Sequence, residues 1–362
     1  MENKLNESLL ALVCLGIGHS NYLQLKDVDW NGVYALAVKH GLLAVVLDGV
    51  ERLNGRDNMP QELKLNWIGE VLQSYEQRYA LYEKAISKLA SFYNHQGYKM
   101  MVVKGYACSI DWPRPEHRPC GDIDIWQFGK QKEADKVLEA TNLPNNTKIK
   151  IDTTHHHHTV FEWQGFSVEN HYDFINVHHH KSNVEYEKIL KELGEDDSHF
   201  VDVQGERVYL PSPNLHALFL LKHTMMHFAS EGISLRQLVD WGFFVKKYTK
   251  EIEWQYVIDV LDRFGMRNMF NIINAICVGD LGFDVKIFPT VQFDPMLKDR
   301  VLQDIISPVF GDEVPKNVFK RIPFKWHRWK GNAWKHKLCY TDSMWSAFWN
   351  GVWNHLIKPS SI

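Results

Sequence analysis

Apolar residues recur at helical spacing through the first quarter of the chain. They lie three or four positions apart over residues 9–17 and 33–47, and residues 63–93 form a longer stretch with charged residues interleaved. This spacing predicts amphipathic helices, and Pro60 marks a break between them. The pattern therefore predicts a helical segment over residues 1–97, in which no residue indicates chemistry.

The pattern changes to that of β-strands after residue 98. Residues 99–104 are mainly apolar, and the run Asp122-Ile123-Asp124-Ile125 alternates charged and apolar positions. Because successive strand side chains point to opposite faces, Asp122 and Asp124 share one face. Adjacent carboxylates repel unless a cation neutralises them, and Mg²⁺ is bound through one or two carboxylates plus substrate phosphates. From spacing alone, an edge strand with two solvated aspartates is the alternative.

A hairpin is predicted further along the chain. Residues 159–163 and 166–170 flank Gln164-Gly165, which is typical of a two-residue hairpin turn. The predicted cross-strand pairs are Trp163 with Phe166, Glu162 with Ser167, Val160 with Glu169, and His158 with His171. One face of the hairpin is then mostly apolar, whereas Glu169 and His171 share the more polar face.

The remaining pattern is helical apart from one loop and one further hairpin. Residues 111–120 contain three prolines, which predicts a stiffened loop. Short helices are predicted over 130–140 and 185–193, and a second hairpin over 201–209. From residue 215 onward the chain again follows a helical pattern.

Composition gives the ordinary profile of a globular protein. The chain has 362 residues, 45% hydrophobic and 23% charged, with a formal net charge of −3, which gives no general attraction to nucleic acid. Five scattered cysteines without paired spacing indicate free thiols in a reducing compartment. The apolar stretch 8–18 is too short for a membrane span and lacks a basic leader. We therefore expect a cytoplasmic protein.

Histidines are concentrated in one region. Eight of the nineteen lie between His155 and His180. Such tracts suggest zinc or nickel binding, but consecutive histidines on a strand point opposite ways, and structural zinc prefers cysteines or spaced histidine pairs. The favoured interpretation is a set of polar loop residues.

Two pairs at four-residue spacing occur in the later helical part. His223 and His227 lack the intervening Glu of a zinc-protease helix, so hydrogen bonding at the core edge is expected, with substrate contact as the alternative. Arg236 and Asp240 are predicted to form an intrahelical ion pair.

The last part of the chain combines basic and aromatic residues. Residues 316–338 hold eight Lys and Arg, no acidic residue and three tryptophans. Trp345, Trp349 and Trp353 then recur every four residues, a stripe that usually belongs to a core. Contact with an anionic membrane surface or with single-stranded nucleic acid is the alternative.

The central motifs resemble those of a known family. Lys104-Gly105, Arg118-Pro119 and the run from Gly121 to Ile125 are similar to the signature of the uncharacterised nucleotidyltransferases, a branch of the polymerase-β-like superfamily. The segment from Val168 to Tyr172 and the helical stretch 215–248 also match. The resemblance implies an α+β fold, with a mixed-sheet core at 98–208 flanked by helical segments at 1–97 and 209–362.

The resemblance also assigns roles to residues. It implies that Asp122, Asp124 and Glu169 are catalytic and hold Mg²⁺ or Mn²⁺, with Glu162 and Asp173 as alternatives for the third carboxylate. The residues implied in nucleotide binding are Lys104, Gly105, Arg118, Gly121 and His171. Tyr106 departs from the superfamily, which follows this glycine with a serine. Arg118 is expected to hold phosphates or to pair with Asp122 or Asp124.

These roles define the expected function. It is transfer of an NMP from an NTP to a hydroxyl or phosphate of an unknown small molecule, sugar or protein, with nucleic acid a less favoured acceptor. The alternatives are a non-catalytic nucleotide-binding or antitoxin-like module of the same fold, and a nucleic-acid-binding protein that uses its basic C-terminal segment.

Overall fold

The fold is described from a computed structural model. It describes residues 2–19, 25, 27–53, 55, 57–143, 147–178, 180–289, 292–308 and 317–357. His179 and Lys316, which belong to two of the segments discussed above, lie outside these residues, as does the side chain of Trp353.

The N-terminal part is helical, as predicted. Its helices are α1 (Glu2–Gly16), α2 (Trp30–Lys39), α3 (Leu43–Glu51), α4 (Gln61–Val71) and α5 (Arg78–His95). A π-helical segment, Leu72–Gln77, joins α4 to α5, so the predicted long helix is continuous. The side chain of Asp29 caps α2 by accepting a hydrogen bond from the Gly32 N–H.

One mixed sheet forms the centre of the molecule. The strands are β1 (Met101–Val102), β2 (Ile123–Trp126), β3 (Asn142–Leu143), β4 (Thr147–Lys148), β5 (His158–Trp163), β6 (Phe166–His171), β7 (Phe200–Val203) and β8 (Glu206–Tyr209). Six of them pair in the order β5-β6-β2-β1-β8-β7, while β3 and β4 form a separate pair. The β2–β6 and β1–β8 pairs are parallel and the other pairs are antiparallel.

The register of the β5–β6 hairpin is the predicted one. Trp163 pairs with Phe166, and His158 pairs with His171. Gln164 and Gly165 have φ values of 51° and 83°, which is the backbone twist that a tight hairpin turn requires.

The buried face of this hairpin contains two polar residues as well as the expected apolar ones. The Asp135 carboxylate accepts hydrogen bonds from Thr159 Oγ1 (2.8 Å) and Asn170 Nδ2 (2.8 Å). Since a buried polar group is costly without a partner, Asp135 allows both to lie among apolar neighbours such as Phe161 and Val168.

Helices cover both faces of the sheet. The remaining ones are α6 (Gly105–Ser109), α7 (Gln131–Ala140), α8 (Lys181–Leu193), α9 (Pro213–Ser230), α10 (Leu235–Tyr248), α11 (Trp254–Arg263), α12 (Arg267–Gly279), α13 (Pro295–Ile306), α14 (Val318–Gly331), α15 (Ala333–Cys339) and α16 (Met344–Ile357), with 3₁₀ turns at Pro115–His117 and Val285–Ile287. One face packs on α5 and α7, and the other, including Trp126, packs on residues of α8 and α9. The predicted α+β class is confirmed. Among the described residues, no helix combines the length and apolar character needed to cross a membrane.

The described side chains of the C-terminal tryptophan stripe, Trp345 and Trp349, are not part of a core. Trp345 is 54% exposed and Trp349 is 63% exposed, so the core interpretation is wrong for both. Their ring contacts are with neighbouring aromatic residues, including Phe348. The helical spacing is real, but Trp345 and Trp349 are both exposed.

The cysteines are free, as predicted from their spacing. Cys108 on α6, Cys277 on α12 and Cys339 on α15 are buried. Burial raises the pKa of all three thiols, that of Cys339 to about 12, so these groups are protonated in the folded protein.

Candidate active site

The parallel pairing of β2 and β6 places acidic and histidine side chains together. Asp124 pairs in register with Glu169, and Trp126 pairs with His171. His171 Nε2 lies 3.1 Å from Asp124 Oδ1 and 3.5 Å from Glu169 Oε2. One ligand atom of each of the three residues lies within 4.8 Å of the others. Neither alternative for the third carboxylate belongs to this group among the described residues: Glu162 is exposed, and Asp173 pairs with Lys191.

A cation already contacts the buried aspartate. Lys104 Nζ lies 2.6 Å from Asp124 Oδ1, and both side chains are largely buried. Lys104 has φ 50° and ψ −121°, a strained conformation for a residue with a side chain. Burial opposes its charge, but the carboxylates of Asp124 and Glu169 outweigh burial and raise the pKa of Lys104.

The carboxylates of the site differ in protonation behaviour. Burial favours the neutral acid of Asp124, but Lys104 and the hydrogen bond from His171 hold the pKa of Asp124 below its usual range. The pKa of Glu169 is also lowered, because the hydrogen bond from His171 outweighs its burial. Asp122, just before β2, has a raised pKa because of burial and of the neighbouring carboxylates. A second cation near Asp122 would therefore relieve repulsion.

His171 is held in one orientation. Its Nδ1 is 3.2 Å from the backbone oxygen of Asp173, to which it donates a hydrogen bond. This bond directs Nε2 toward Asp124 and Glu169. A backbone carbonyl on one ring nitrogen is the usual support for a histidine that binds a metal through the other.

Two further histidines adjoin His171. The ring centroids of His157 and His158 lie 5.5 Å and 5.2 Å from that of His171, and the three form a second group whose ligand atoms lie within 4.8 Å of one another. The expectation that consecutive histidines diverge is wrong here. His157 precedes β5 in a bend, so strand alternation does not apply to it.

Gly105 is explained by a close packing contact. A Cβ at this position would lie 2.8 Å from Tyr82 Oη, which donates a 2.8 Å hydrogen bond to the backbone oxygen of Asp122. A larger residue would push away Tyr82 and disturb the start of β2. No atom within 4 Å would obstruct a Cβ at Gly121, which is exposed beside Asp122.

Arg118 pairs with neither Asp122 nor Asp124. Its Nε and Nη2 donate to the two carboxylate oxygens of Asp240, at 2.8 Å and 3.0 Å. The predicted pairing with Asp122 or Asp124 is therefore wrong. The intrahelical pair of Arg236 with Asp240 is wrong for the same reason, because Asp240 is occupied by Arg118 from the loop before β2.

Arg236 forms no ion pair with any carboxylate that the structure describes. Within the described part of the chain it makes no ion pair, and its buried Nε has no hydrogen-bond partner. Burial and the nearby Arg118 lower the pKa of Arg236. A guanidinium in this situation gains from an added anion.

These groups line one cleft between the sheet and helices α9 and α10. It has a volume of about 430 Å³. The sequence-predicted residues on its wall are Lys104, Gly105, Arg118, Gly121, Asp122, Asp124 and Glu169. His171 is fully buried behind Asp124 and contacts it.

The opposite wall comes from helices α9 and α10. His223, His227 and Arg236 on this wall stand out in the sequence by their four-residue spacing, whereas Thr224 and Gln237 were not predicted to lie there. Gln237 had a visible signal, since it follows Ser234 by three residues and forms a capping box with it at the start of α10. Thr224 had none, because a single threonine in a long apolar helix is unremarkable.

Comparison with known proteins identifies the family. The sequence model of a family described as uncharacterised nucleotidyltransferases matches residues 26–278. The chain belongs to this family. No curated protein and no solved structure matches it. The match ends within α12, so helices α13 to α16 of this nucleotidyltransferase lie beyond it.

The donor set suits the divalent metal that nucleotidyltransferases generally use. Asp124, Glu169 and His171 offer two oxygens and one nitrogen. Ligands about 2.1 Å from an octahedral ion lie about 3 Å apart, which is close to the separations of 3.1 Å and 3.5 Å found here. A nitrogen donor beside two carboxylates suits Mn²⁺ or Zn²⁺ at least as well as Mg²⁺.

Proposed function

We propose that this protein transfers the NMP part of an NTP to a hydroxyl or phosphate of an acceptor, with release of pyrophosphate. The observation that supports this most strongly is the Asp124–Glu169–His171 group on the wall of the cleft. Asp122 adds a third carboxylate whose charge is poorly neutralised by the protein.

Each protein group has a defined part in the proposed reaction. Divalent ions bound to Asp122, Asp124 and Glu169 would stabilise the attacking and leaving oxygens of an in-line displacement. Lys104 and Arg236 hold the phosphates, because both are cationic and line the cleft. Arg118 acts indirectly, since its bond to Asp240 fixes the loop that leads into β2.

The bond changes follow the chemistry of phosphoryl transfer. The acceptor oxygen bonds to the α-phosphorus, and the bond from that phosphorus to the bridging oxygen of pyrophosphate breaks. The electron pair leaves with pyrophosphate. The acceptor proton passes to His227, which lies on the wall of the cleft. No covalent enzyme intermediate is needed, because positioning and charge stabilisation suffice.

One contact favours the non-catalytic alternative. Lys104 Nζ neutralises Asp124 at 2.6 Å, so the buried carboxylate is tolerable without a metal. A nucleotide-binding module that had lost transfer would keep such a contact. The two functions differ in whether label from the α-phosphate is passed to another molecule.

The test uses each of the four NTPs labelled at the α-phosphate, with Mg²⁺ or Mn²⁺ and a metabolite or protein extract. We expect label to move to an acceptor with the wild type and not with Asp122→Asn plus Asp124→Asn. Asp299→Asn, at a carboxylate that is 71% exposed, is the control. Tight binding of metal-NTP without any transfer supports the non-catalytic module, and absence of both overturns the proposal.

A cytoplasmic location is part of the proposal and is supported by the five free cysteines.

A further inference from the structure

A second, larger cavity adjoins the cleft. It has a volume of about 790 Å³ and lies between α9, the segment after β6, and the C-terminal helices α14 to α16. His157, His223 and His227 line both spaces. A molecule in the larger cavity would therefore reach the place where the α-phosphate is expected.

We propose that this cavity binds the acceptor, and that the acceptor is a neutral or anionic small molecule with an aromatic or apolar ring system. The inference rests on the proposed function and adds the class of the second substrate to it.

The size of the cavity argues for a small molecule. Pockets of about 300–1,000 Å³ enclose ligands of metabolite size. A folded protein or a duplex would contact a broad surface instead of entering such a space.

The lining argues for an aromatic or apolar ring system. Phe174, Trp329, Tyr340 and Phe348 contribute ring surfaces. Aromatic rings pack favourably against other flat groups and against apolar ones.

The charges of the lining argue against a polycationic acceptor. Apart from five histidines, the described residues of the wall include two basic residues, Lys325 and Arg328, and one acidic residue, Glu231. An aminoglycoside-like acceptor with several ammonium groups would meet net repulsion. A carboxylate, sulfonate or phosphate on the acceptor would instead find Arg328 or Lys325.

The wall is fixed to the rest of the molecule by specific contacts. Asn332, just before α15, donates a 2.9 Å hydrogen bond to the backbone oxygen of Ser230. Lys335 forms a buried ion pair with Asp304 of α13. The ring of His180 stacks on Tyr340 at 3.6 Å and 10°. These contacts hold the wall of the cavity in place. Helices α14 to α16, which lie beyond the family match, contribute many of its lining residues.

A pair of dyes tests this directly. 8-Anilinonaphthalene-1-sulfonate (ANS) is anionic and aromatic, and N-phenyl-1-naphthylamine (NPN) is the same ring system without the sulfonate. Fluorescence titrations of the full chain give a dissociation constant for each dye. We expect Trp329→Ala to weaken both dyes at least tenfold, because it removes a ring from the wall. Arg328→Glu should weaken ANS at least fivefold and leave NPN within twofold.

Trp349→Ala is the matched control. Trp349 is 63% exposed and does not line the cavity, so its loss should leave both constants within twofold. Weakening by Trp349→Ala but not by Trp329→Ala would place the dyes on the outer aromatic surface and overturn the inference. Equal effects of Arg328→Glu on both dyes would overturn the preference for anions. Circular dichroism and thermal unfolding establish that each variant is folded, and Arg328→Glu, at a partly exposed residue, tests the inference if Trp329→Ala does not fold.

A catalytic readout separates this inference from the proposed function. Asp122→Asn plus Asp124→Asn should bind both dyes as the wild type does, because neither residue lines the larger cavity. If NTP is bound and transferred but ANS neither enters the cavity nor inhibits transfer, the acceptor inference fails and the function stands. If ANS enters the cavity and no NTP is bound, the proposed function fails, and with it the assignment of the cavity to an acceptor.

Discussion

Lys104 Nζ lies 2.6 Å from Oδ1 of Asp124, on the carboxylate where a metal ion is expected to bind. The backbone of Lys104 is in a conformation that favours glycine, with φ 50°. Because the ammonium of Lys104 already contacts Oδ1 of Asp124, it would compete with a metal ion for that oxygen. When a nucleotide is bound, its phosphates offer Lys104 another partner.

We predict opposite effects of Lys104→Met on metal and nucleotide. Without nucleotide, Mn²⁺ should bind several-fold more tightly, because its competitor for Asp124 is gone. With metal present, NTP should bind about tenfold more weakly, since a charge-assisted hydrogen bond contributes on the order of 1.5–3 kcal/mol. Isothermal titration calorimetry measures both constants. Lys99→Met, at an exposed ion pair with Asp197, is the control, and a loss of Mn²⁺ affinity in Lys104→Met would contradict competition.

The nitrogen donor predicts a metal preference. Replacing His171 with Ala should weaken Mn²⁺ and Zn²⁺ binding by roughly tenfold or more, and Mg²⁺ binding much less, because Mg²⁺ prefers oxygen ligands. Equilibrium dialysis with metal analysis measures this without any activity. His95→Ala removes an exposed imidazole that does not line the cleft and should change nothing. Equal losses for all three ions would show that His171 only supports the fold.

The adjacent histidines give a further comparison. His157→Asn should weaken Zn²⁺ binding if His157 and His158 help His171 to hold the ion. Because His171 Nε2 is shared with Asp124 and Glu169, the two groups cannot both be filled, so we expect a lower Zn²⁺ affinity at an unchanged stoichiometry. An unchanged Zn²⁺ affinity would show that the carboxylate group holds the ion without His157.

Part of this site could be predicted from the regular alternation of side chains along each strand. Strand alternation placed Asp122 with Asp124, and the hairpin turn fixed Glu169 and His171 on one face. The parallel pairing that brings Asp124 next to Glu169 is a tertiary feature, and the family resemblance supplied that expectation. The fold class followed from the same two sources.

Contacts between distant segments were not readable. Arg118 meets Asp240 across the cleft, whereas the spacing of four residues favoured Arg236 as the partner. Helical spacing shows that Arg236 and Asp240 could contact each other. It does not show that Arg118, which lies on a loop, pairs with Asp240 instead. The prediction that Trp345 lies in a core was wrong for a related reason. Periodicity shows that residues share one face of a helix, but it does not show whether another element covers that face.

The Arg118–Asp240 pair should be costly to break. Both side chains are almost completely buried, and removing one partner leaves an isolated buried charge, which costs about 3–5 kcal/mol. We expect Asp240→Asn to lower the free energy of unfolding by this amount in urea denaturation. Arg118→Met plus Asp240→Leu should recover part of the loss, because it removes both charges but leaves the buried Trp112 Nε1–H without its acceptor. Arg263→Met, at a largely exposed arginine, should stay near the wild type.

Stability should fall on mild acidification because of a buried histidine. Burial lowers the pKa of His40 to about 4, and its Nδ1 accepts a hydrogen bond from the Leu235 N–H. In the unfolded chain His40 is protonated below about pH 6.5, whereas in the folded protein it is protonated only below about pH 4. Between these values the unfolded state binds one more proton, so the free energy of unfolding decreases as the pH falls through this window. The full effect is on the order of 3 kcal/mol.

The histidine contribution can be isolated by replacement. In urea denaturation between pH 4.5 and 7.5, His40→Asn should show a shallower decline of unfolding free energy than the wild type, because its side chain does not titrate. Asn still offers an oxygen to Leu235. His95→Asn, at an exposed position, should follow the wild-type curve. Parallel curves for all three proteins would show that His40 does not set the decline.

The three buried thiols lie in different parts of the molecule. Cys108 lines the cleft, Cys277 lies on α12, and Cys339 lies on α15. A thiol reagent can modify each of them only when its own surroundings open, so each labelling rate measures a local unfolding event. Peptide mapping by mass spectrometry, sampled over time with and without nucleotide, would then assign each labelling rate to its cysteine and rank these openings.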